Sequence, residues 1–190
     1  MPARLILASS SPRRLQLLRD VGLAVEVISS PIEELHDVSM DFRQLCEINA
    51  VSKARDVASR HSGAWVIGAD TLVCLEGVPL GKPADIAAAR AMLQSLSGRI
   101  NHVCTGVCVI DPIGTAHSFH EVTEVEFKAI DDAVIDDYMA KVHTLDKAGA
   151  YAAQEHGDQI ISAIRGDFSN VVGMPVVRLL DVLRHLDANF

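Results

Sequence analysis

Two long stretches, NHVCTGVCVID (101–111) and SFHEVTEVEFKAI (118–130), are separated only by a turn at Pro112 and Gly114. Both read as strands, and the short turn predicts an antiparallel hairpin. The rest of the chain must therefore be compatible with a sheet. Residues 4–8 (RLILA) read as a buried strand and 12–21 as a helix, with Ser11 as N-cap, Pro12 in the first position and Gly22 as the stop. Residues 23–29 read as a second strand, followed by a polar loop carrying Glu33 and Glu34. From Asp41 to about His61, Phe42, Leu45, Cys46, Ile48, Val51, Ala54 and Val57 recur at helical spacing, with Lys53 in the second half of that helix.

AWVIGADTLVCL (64–75) reads as a strand, a Gly-Ala-Asp break and a strand again, and EGVPLGKP (76–83) is turn-rich. An Ala-rich helix over 84–96 is closed by Gly98, and 131–141 is helical and acidic. Residues 145–157 read as loop with some helix, 158–166 and 168–173 as strands, and Pro175 opens a final amphipathic helix. The order is neither a run of βαβ units nor a sandwich. It predicts one α/β domain over residues 1–190, a mixed sheet flanked by helices. The central hairpin is expected to form one lobe and the terminal segments the other.

Hydrophobic residues make up 49% of the chain and charged residues 22%, an ordinary globular balance. No apolar run approaches a membrane span, and MPARLILASS is too short for a secretory signal, so the expected compartment is the cytoplasm with no membrane partner. Cys46, Cys74, Cys104 and Cys108 lie in apolar stretches without a C-x-x-C, and read as buried, inert thiols. Cys104 and Cys108, four apart in one strand, share a face and are expected to be able to touch. A net charge of −8 argues against a nucleic-acid surface but permits an anionic small ligand met by a few placed cations.

The cations are placed. In LILASSSPRR (5–14), a helix N-terminus offers free N–H groups, Ser9, Ser10 and Ser11 offer hydroxyls, and Arg13 and Arg14 offer forks matched to phosphate. Arginines are unfavourable near a helix N-terminus, which points to a bound polyanion; the alternative is a simple Ser11 cap with solvated arginines. Asp70 ends a buried strand, where a carboxylate can bind a divalent metal or take a proton from water, or else satisfies its own turn. Lys82 in LGKP suits a phosphate, and Glu33 or Glu34 offers a second carboxylate. Asp146, Lys147 and Gln154 sit among small residues in DKAGAYAAQ, where the glutamine can read a base edge. Several cations and two or three carboxylates at element ends are an inventory for a polyphosphate with a divalent metal.

The motifs LILASSSPRR, SPIEE (30–34), Lys53-Ala54, VIGADTLV (66–73), LGKP (80–83), LSGR (96–99), DKAGAY (146–151) with Gln154, and NVVGMP (170–175) occur in order. On these the chain resembles the Maf family of nucleoside triphosphate pyrophosphatases, nearly end to end. The resemblance implies a mixed, twisted α/β sheet of Maf/ITPase type with a cleft between two lobes, and a homodimer. It implies hydrolysis of a nucleoside triphosphate to the monophosphate and pyrophosphate, dependent on Mg²⁺ or Mn²⁺. Arg13, Thr71 and Gln154 match the branch acting on dTTP and UTP rather than the one acting on 7-methyl-GTP.

Two departures from the family's pattern stand out: Ser52 where a glutamate is frequent, and AAQEHG where Gly-Ile-Gln-Gly is commoner. On this resemblance Asp70 is the proton acceptor, Asp70 with Glu33 or Glu34 holds the metal, and Lys53 and Lys82 are catalytic. Ser9, Ser11, Arg13, Arg14 and Lys147 bind substrate. Arg14 is assigned to phosphate alone, whereas Arg13, Thr71 and Gln154 bear on nucleotide choice. The rival readings are a nucleotide-sensing module without turnover and a non-specific phosphatase.

Overall fold

A computed structural model describes residues 4–188. In chain order the elements are β1 (Leu5–Leu7), α1 (Pro12–Asp20), β2 (Glu26–Val27), α2 (Phe42–Ala58), β3 (Trp65–Leu75), β4 (Val78–Leu80), α3 (Ile86–Leu96), β5 (Ile100–Ile110), β6 (Ala116–Phe127), α4 (Asp132–Lys141), β7 (Ile161–Arg165), α5 (Phe168–Val172) and α6 (Val176–His185). They build one mixed sheet in the order β2-β1-β3-β5-β6-β7. β1 runs parallel to β2 and β3, and the remaining ladders are antiparallel. This is the mixed, helix-flanked sheet that the element order predicts.

The hairpin of β5 and β6 is shared by both lobes rather than forming one of them. Strands of 11 and 12 residues span about 37 Å or more, longer than one small lobe. On one face of the sheet, Val103, Val125 and Phe127 pack with Leu93, Ile135 and Tyr138 of α3 and α4. Farther along the same two strands, Val107, Val109 and Phe119 pack with Leu18 of α1 and Leu179 and Leu183 of α6. The opposite face is covered by α2, against Ile6, Val66 and Cys108 at one end and Leu72, Cys74 and Cys104 at the other. Cys104 and Cys108 share that face but lie about 13 Å apart at strand rise, in separate clusters, so they do not touch. All four thiols are free and buried.

Four local expectations change. Trp65–Leu75 is one continuous strand, so Gly68 is no break. A Cβ there would lie 2.4 Å from the Ala50 carbonyl oxygen, which shows that Gly68 lets α2 settle onto the sheet. The strand expected over 23–29 shrinks to two residues, because its partner among the described residues, β1, has three. In the turn-rich 76–83 stretch, Glu76 and Gly77 (φ 52° and 84°) make a two-residue turn that folds β4 back on β3. Within 168–173, Phe168–Val172 form the short helix α5 instead of a strand. Asp167 caps it through the Ser169 N–H, and Gly173 (φ 121°) ends it.

Candidate active site

β5 pairs with β3 from Val66 to Cys74, filling one edge of β3 completely. On the other edge β1 pairs only with residues 65–67 and β4 only with 73–75. Residues 68–72 therefore face a gap between two short strands. Asp70 thus lies in the middle of β3 rather than at a strand end, and it borders the cavity because its neighbour strands stop short. Through this gap side chains from both faces of the sheet, Asp70 from one and Thr71 from the other, reach a single cavity of about 410 Å³.

On the α2 side, Asp70 is only 4% exposed. Lys53 Nζ donates to Asp70 Oδ1 (2.8 Å) and to Glu34 Oε1 (2.6 Å), while Asn49 Nδ2 donates to Asp70 Oδ2 (3.0 Å). Burial works against the charged form of Asp70. The Lys53 ammonium, its hydrogen bond, the Arg14 charge and the Asn49 amide outweigh it and hold the carboxyl below its ordinary pKa. Glu34 lines the cavity, whereas Glu33, one residue earlier, is exposed and does not.

The other wall is built from the first turn of α1. The Ala8 N–H donates to the Ile67 carbonyl (2.7 Å), so the chain leaves β1 beside the gap. Ser11 caps the helix by accepting the Arg14 N–H (3.4 Å), and Ser9 Oγ accepts the Ser11 N–H (3.3 Å). The Arg14 guanidinium donates to Gly173 O (2.9 Å), Ser9 Oγ (3.1 Å) and Thr71 Oγ1 (2.9 Å), all neutral oxygens. Desolvation lowers its pKa against the pull of Asp70 and Glu34. Thr71 also meets Thr105 (3.0 Å), whose hydroxyl donates to the Asn170 carbonyl (3.0 Å). Asn170 is itself fixed to Val103 O and Thr123 Oγ1.

Arg13 sits apart from Arg14, 3.6 Å from Asp146 at the cavity rim. Lys147 is 5% exposed, and its ammonium is engaged by His143 O (2.6 Å), Asp146 (2.9 Å) and Glu155 (3.6 Å). Gln154 is exposed on the rim and donates to Glu155 Oε1 (3.3 Å). Lys82 is exposed and lines the cavity, with no ion pair among the described residues.

Ser9, Ser11, Arg13, Arg14, Glu34, Lys53, Asp70, Thr71, Lys82, Lys147 and Gln154 thus all line one cavity, and Glu33 does not. Within it Thr71 stands with Arg14 in the floor, away from Arg13 and Gln154 at the rim. Sequence reasoning missed Asn49, Thr105 and Asn170. Asn49 had a signal: it interrupts the apolar stripe of α2 one turn before Lys53.

Among the described residues no cluster of three or more His, Cys, Asp or Glu side chains could hold a metal ion. Glu34 and Asp70, joined through Lys53, suit a cation of the Mg²⁺ type, which takes one or two carboxylates and completes its shell with water and phosphate oxygens.

A family model described as "Maf-like protein" matches residues 4–186. The dTTP/UTP pyrophosphatase of Akkermansia muciniphila is 49% identical over 181 residues, 95% of each chain. That of Deinococcus radiodurans is 44% identical over 188 residues, 97% of this chain and 95% of its own. Among solved structures, a HAM1 protein from Coxiella burnetii superposes with a TM-score of 0.58 at 17% identity, covering 96% of this chain and 99% of its own. The Staphylococcus aureus Ham1 protein gives 0.56 at 15%, covering 97% and 99%. The Ham1 likenesses concern the fold. With the family's motifs gathered around one cavity and a match over nearly the whole length, the chain belongs to the Maf-like protein family.

Proposed function

We propose that the protein hydrolyses dTTP and UTP to the monophosphate and pyrophosphate. The observation that carries this reading is a carboxylate, Asp70, set in a gap of the sheet edge between a cationic wall and a paired ammonium. The names of its 49% and 44% identical relatives supply the substrate.

In this reading water attacks the α-phosphorus. A P–O bond to water forms, the bond to the bridging oxygen breaks, and its electron pair leaves with pyrophosphate. Asp70 orients the water and accepts its proton before solvent takes it. Lys53 keeps Asp70 ionised and aimed. Arg14 and Lys82 neutralise the triphosphate, Ser9 and Ser11 add hydrogen bonds at the helix N-terminus, and Arg13, Lys147 and Gln154 form the rim that the base meets. A Mg²⁺ or Mn²⁺ ion held by Glu34 and Asp70 would add positive charge where the leaving group develops its own.

A cytoplasmic homodimer is part of the same proposal. Four free, buried thiols suit a reducing compartment, and sedimentation tests the oligomeric state.

The deciding experiment supplies dTTP, UTP, other natural triphosphates and 7-methyl-GTP with Mg²⁺ or Mn²⁺ and reads pyrophosphate. Release that is fastest from dTTP and UTP supports the proposal. A preference for 7-methyl-GTP would assign the other branch, orthophosphate would indicate a phosphatase, and binding without product would indicate a sensor.

A further inference from the structure

Asn49 is a polar side chain where α2 packs on the sheet, and it is 3% exposed. An amide buried without partners is costly, so its bonds are informative. Its Oδ1 accepts the Leu35 N–H (2.8 Å), and its Nδ2 donates both to the Leu35 carbonyl (3.2 Å) and to Asp70 Oδ2 (3.0 Å). Both N–H bonds of the amide are used, in two directions. One direction is the backbone of the loop between β2 and α2, which has no regular structure. The other is the carboxylate at the centre of the cavity.

Leu35 follows Glu34, so fixing the Leu35 peptide fixes the base of the Glu34 side chain. A short side chain can join the two only because α2 lies hard on the sheet. A Cβ at Gly68, two residues before Asp70, would meet Ala50 O at 2.4 Å. One at Gly106, opposite Asp70 on β5, would meet the Cys46 carbonyl carbon at 2.4 Å. Lys53, one turn after Asn49, then reaches both carboxylates.

We propose that Asn49 is a positioning residue that clamps the Glu34-bearing loop to Asp70, so that the two carboxylates are presented together to a divalent cation. The turnover part of this inference rests on the proposed hydrolysis of dTTP; the loop part does not.

The test has two arms on the full-length protein. In the wild type without metal or nucleotide, amide hydrogen exchange should show the Leu35 N–H protected at least ~10-fold over the Glu33 and His36 amides of the same loop. Asn49→Leu should remove that difference while the amides of β3 and β5 stay protected. Equal exchange at all three wild-type amides would overturn the clamp without needing any variant.

The second arm reads the Mg²⁺ concentration for half-maximal pyrophosphate release. Asn49→Leu should raise it by about 5- to 10-fold, no more than loss of the Glu34 carboxylate itself, with the KM for dTTP at saturating Mg²⁺ changed by less than about 3-fold. Because Asn49 acts through the Glu34 loop, adding Asn49→Leu to Glu34→Gln should raise it less than about 3-fold further. An unchanged Mg²⁺ requirement, or effects that multiply in the double variant, would overturn the positioning role. Absence of pyrophosphate release from the wild type breaks the proposed function instead, and the exchange arm then decides the clamp alone.

Discussion

The two walls of the cavity solve the same electrostatic problem in opposite ways. On the α2 wall, Asp70 and Glu34 share Lys53, so the charges are matched before any ligand arrives. On the α1 wall, Arg14 is desolvated and bonded only to neutral oxygens of Ser9, Thr71 and Gly173. A paired wall is stable by itself and keeps its acid ionised. An unpaired guanidinium is a standing demand for an anion, and the N-terminus of α1 beside it adds to that demand. The first wall is built to act and the second to bind.

Three substitutions test that division, beginning with the largest effect. Asp70→Asn should lower the rate of pyrophosphate release by about 10³-fold, within the range that a positioned proton acceptor supplies. Calorimetric titration with dTTP in the absence of divalent metal should show affinity no weaker than wild type, because an anion has left a site for anions. A wild-type rate would remove the α2 wall from the chemistry.

Arg14→Leu should raise the Kd for dTTP by about 100-fold, the loss of one buried charge-assisted contact set. Its unfolding free energy should stay within about 0.5 kcal/mol of wild type, because a desolvated unpaired cation is no asset to the empty protein. Lys53→Met should do the reverse to stability, lowering it by about 2 kcal/mol, since two carboxylates lose their counter-ion. That figure lies below the ~3–5 kcal/mol of a fully buried pair because the Glu34 side chain is one-third exposed (34%). Urea unfolding of both variants decides it: equal destabilisation would erase the contrast between the walls.

Adjacent glutamates give a smaller and finer test. Glu34→Gln should raise the Mg²⁺ requirement for turnover about 10-fold, and Glu33→Gln should change it by less than about 2-fold. Similar effects from both would mean that the loop, not one carboxylate, faces the cavity.

The uneven legibility of the site in the sequence follows the same physics. The α1 wall is readable because its signals are local: the Ser11 cap, Pro12 and two arginines fall within the first turn, and Gly22 follows the end of the helix. On the α2 wall, Lys53 and Asp70 each carry a local signal, but their ion pair crosses 17 residues and no local rule reports it. Glu33 and Glu34 could not be separated because the irregular loop takes its orientation from Asn49, 14 residues beyond Leu35. Arg13 and Arg14 were separated in the sequence, yet Thr71, grouped there with Arg13, is hydrogen-bonded to Arg14.

Gly68 read as a strand break because glycine punctuates turns more often than it admits a helix, and only the packing of α2 distinguishes the two. Residues 168–173 read as a strand from their two valines, although Asp167 and Gly173 are helix punctuation. The expectation of a mixed, helix-flanked sheet survived these errors because it rests on the long hairpin of residues 101–111 and 118–130 rather than on the short elements.

The smallest effect concerns acid stability, and it too separates the walls. The Asp70 carboxyl is held below its ordinary pKa despite burial, chiefly by Lys53. A carboxylate whose folded pKa is depressed contributes stability that is complete above its unfolded value, about 4, and is lost as pH falls through the folded value. Urea midpoints of the wild type should therefore fall more steeply below about pH 4 than those of Asp70→Asn, which has no proton to take up there. Lys53→Met should flatten the same slope, because Asp70 then titrates nearer its unfolded value. Arg14→Leu should leave most of it, since the Arg14 charge acts on Asp70 less strongly than Lys53 does. A slope flattened equally by Arg14→Leu and Lys53→Met would mean that the two walls form one electrostatic unit.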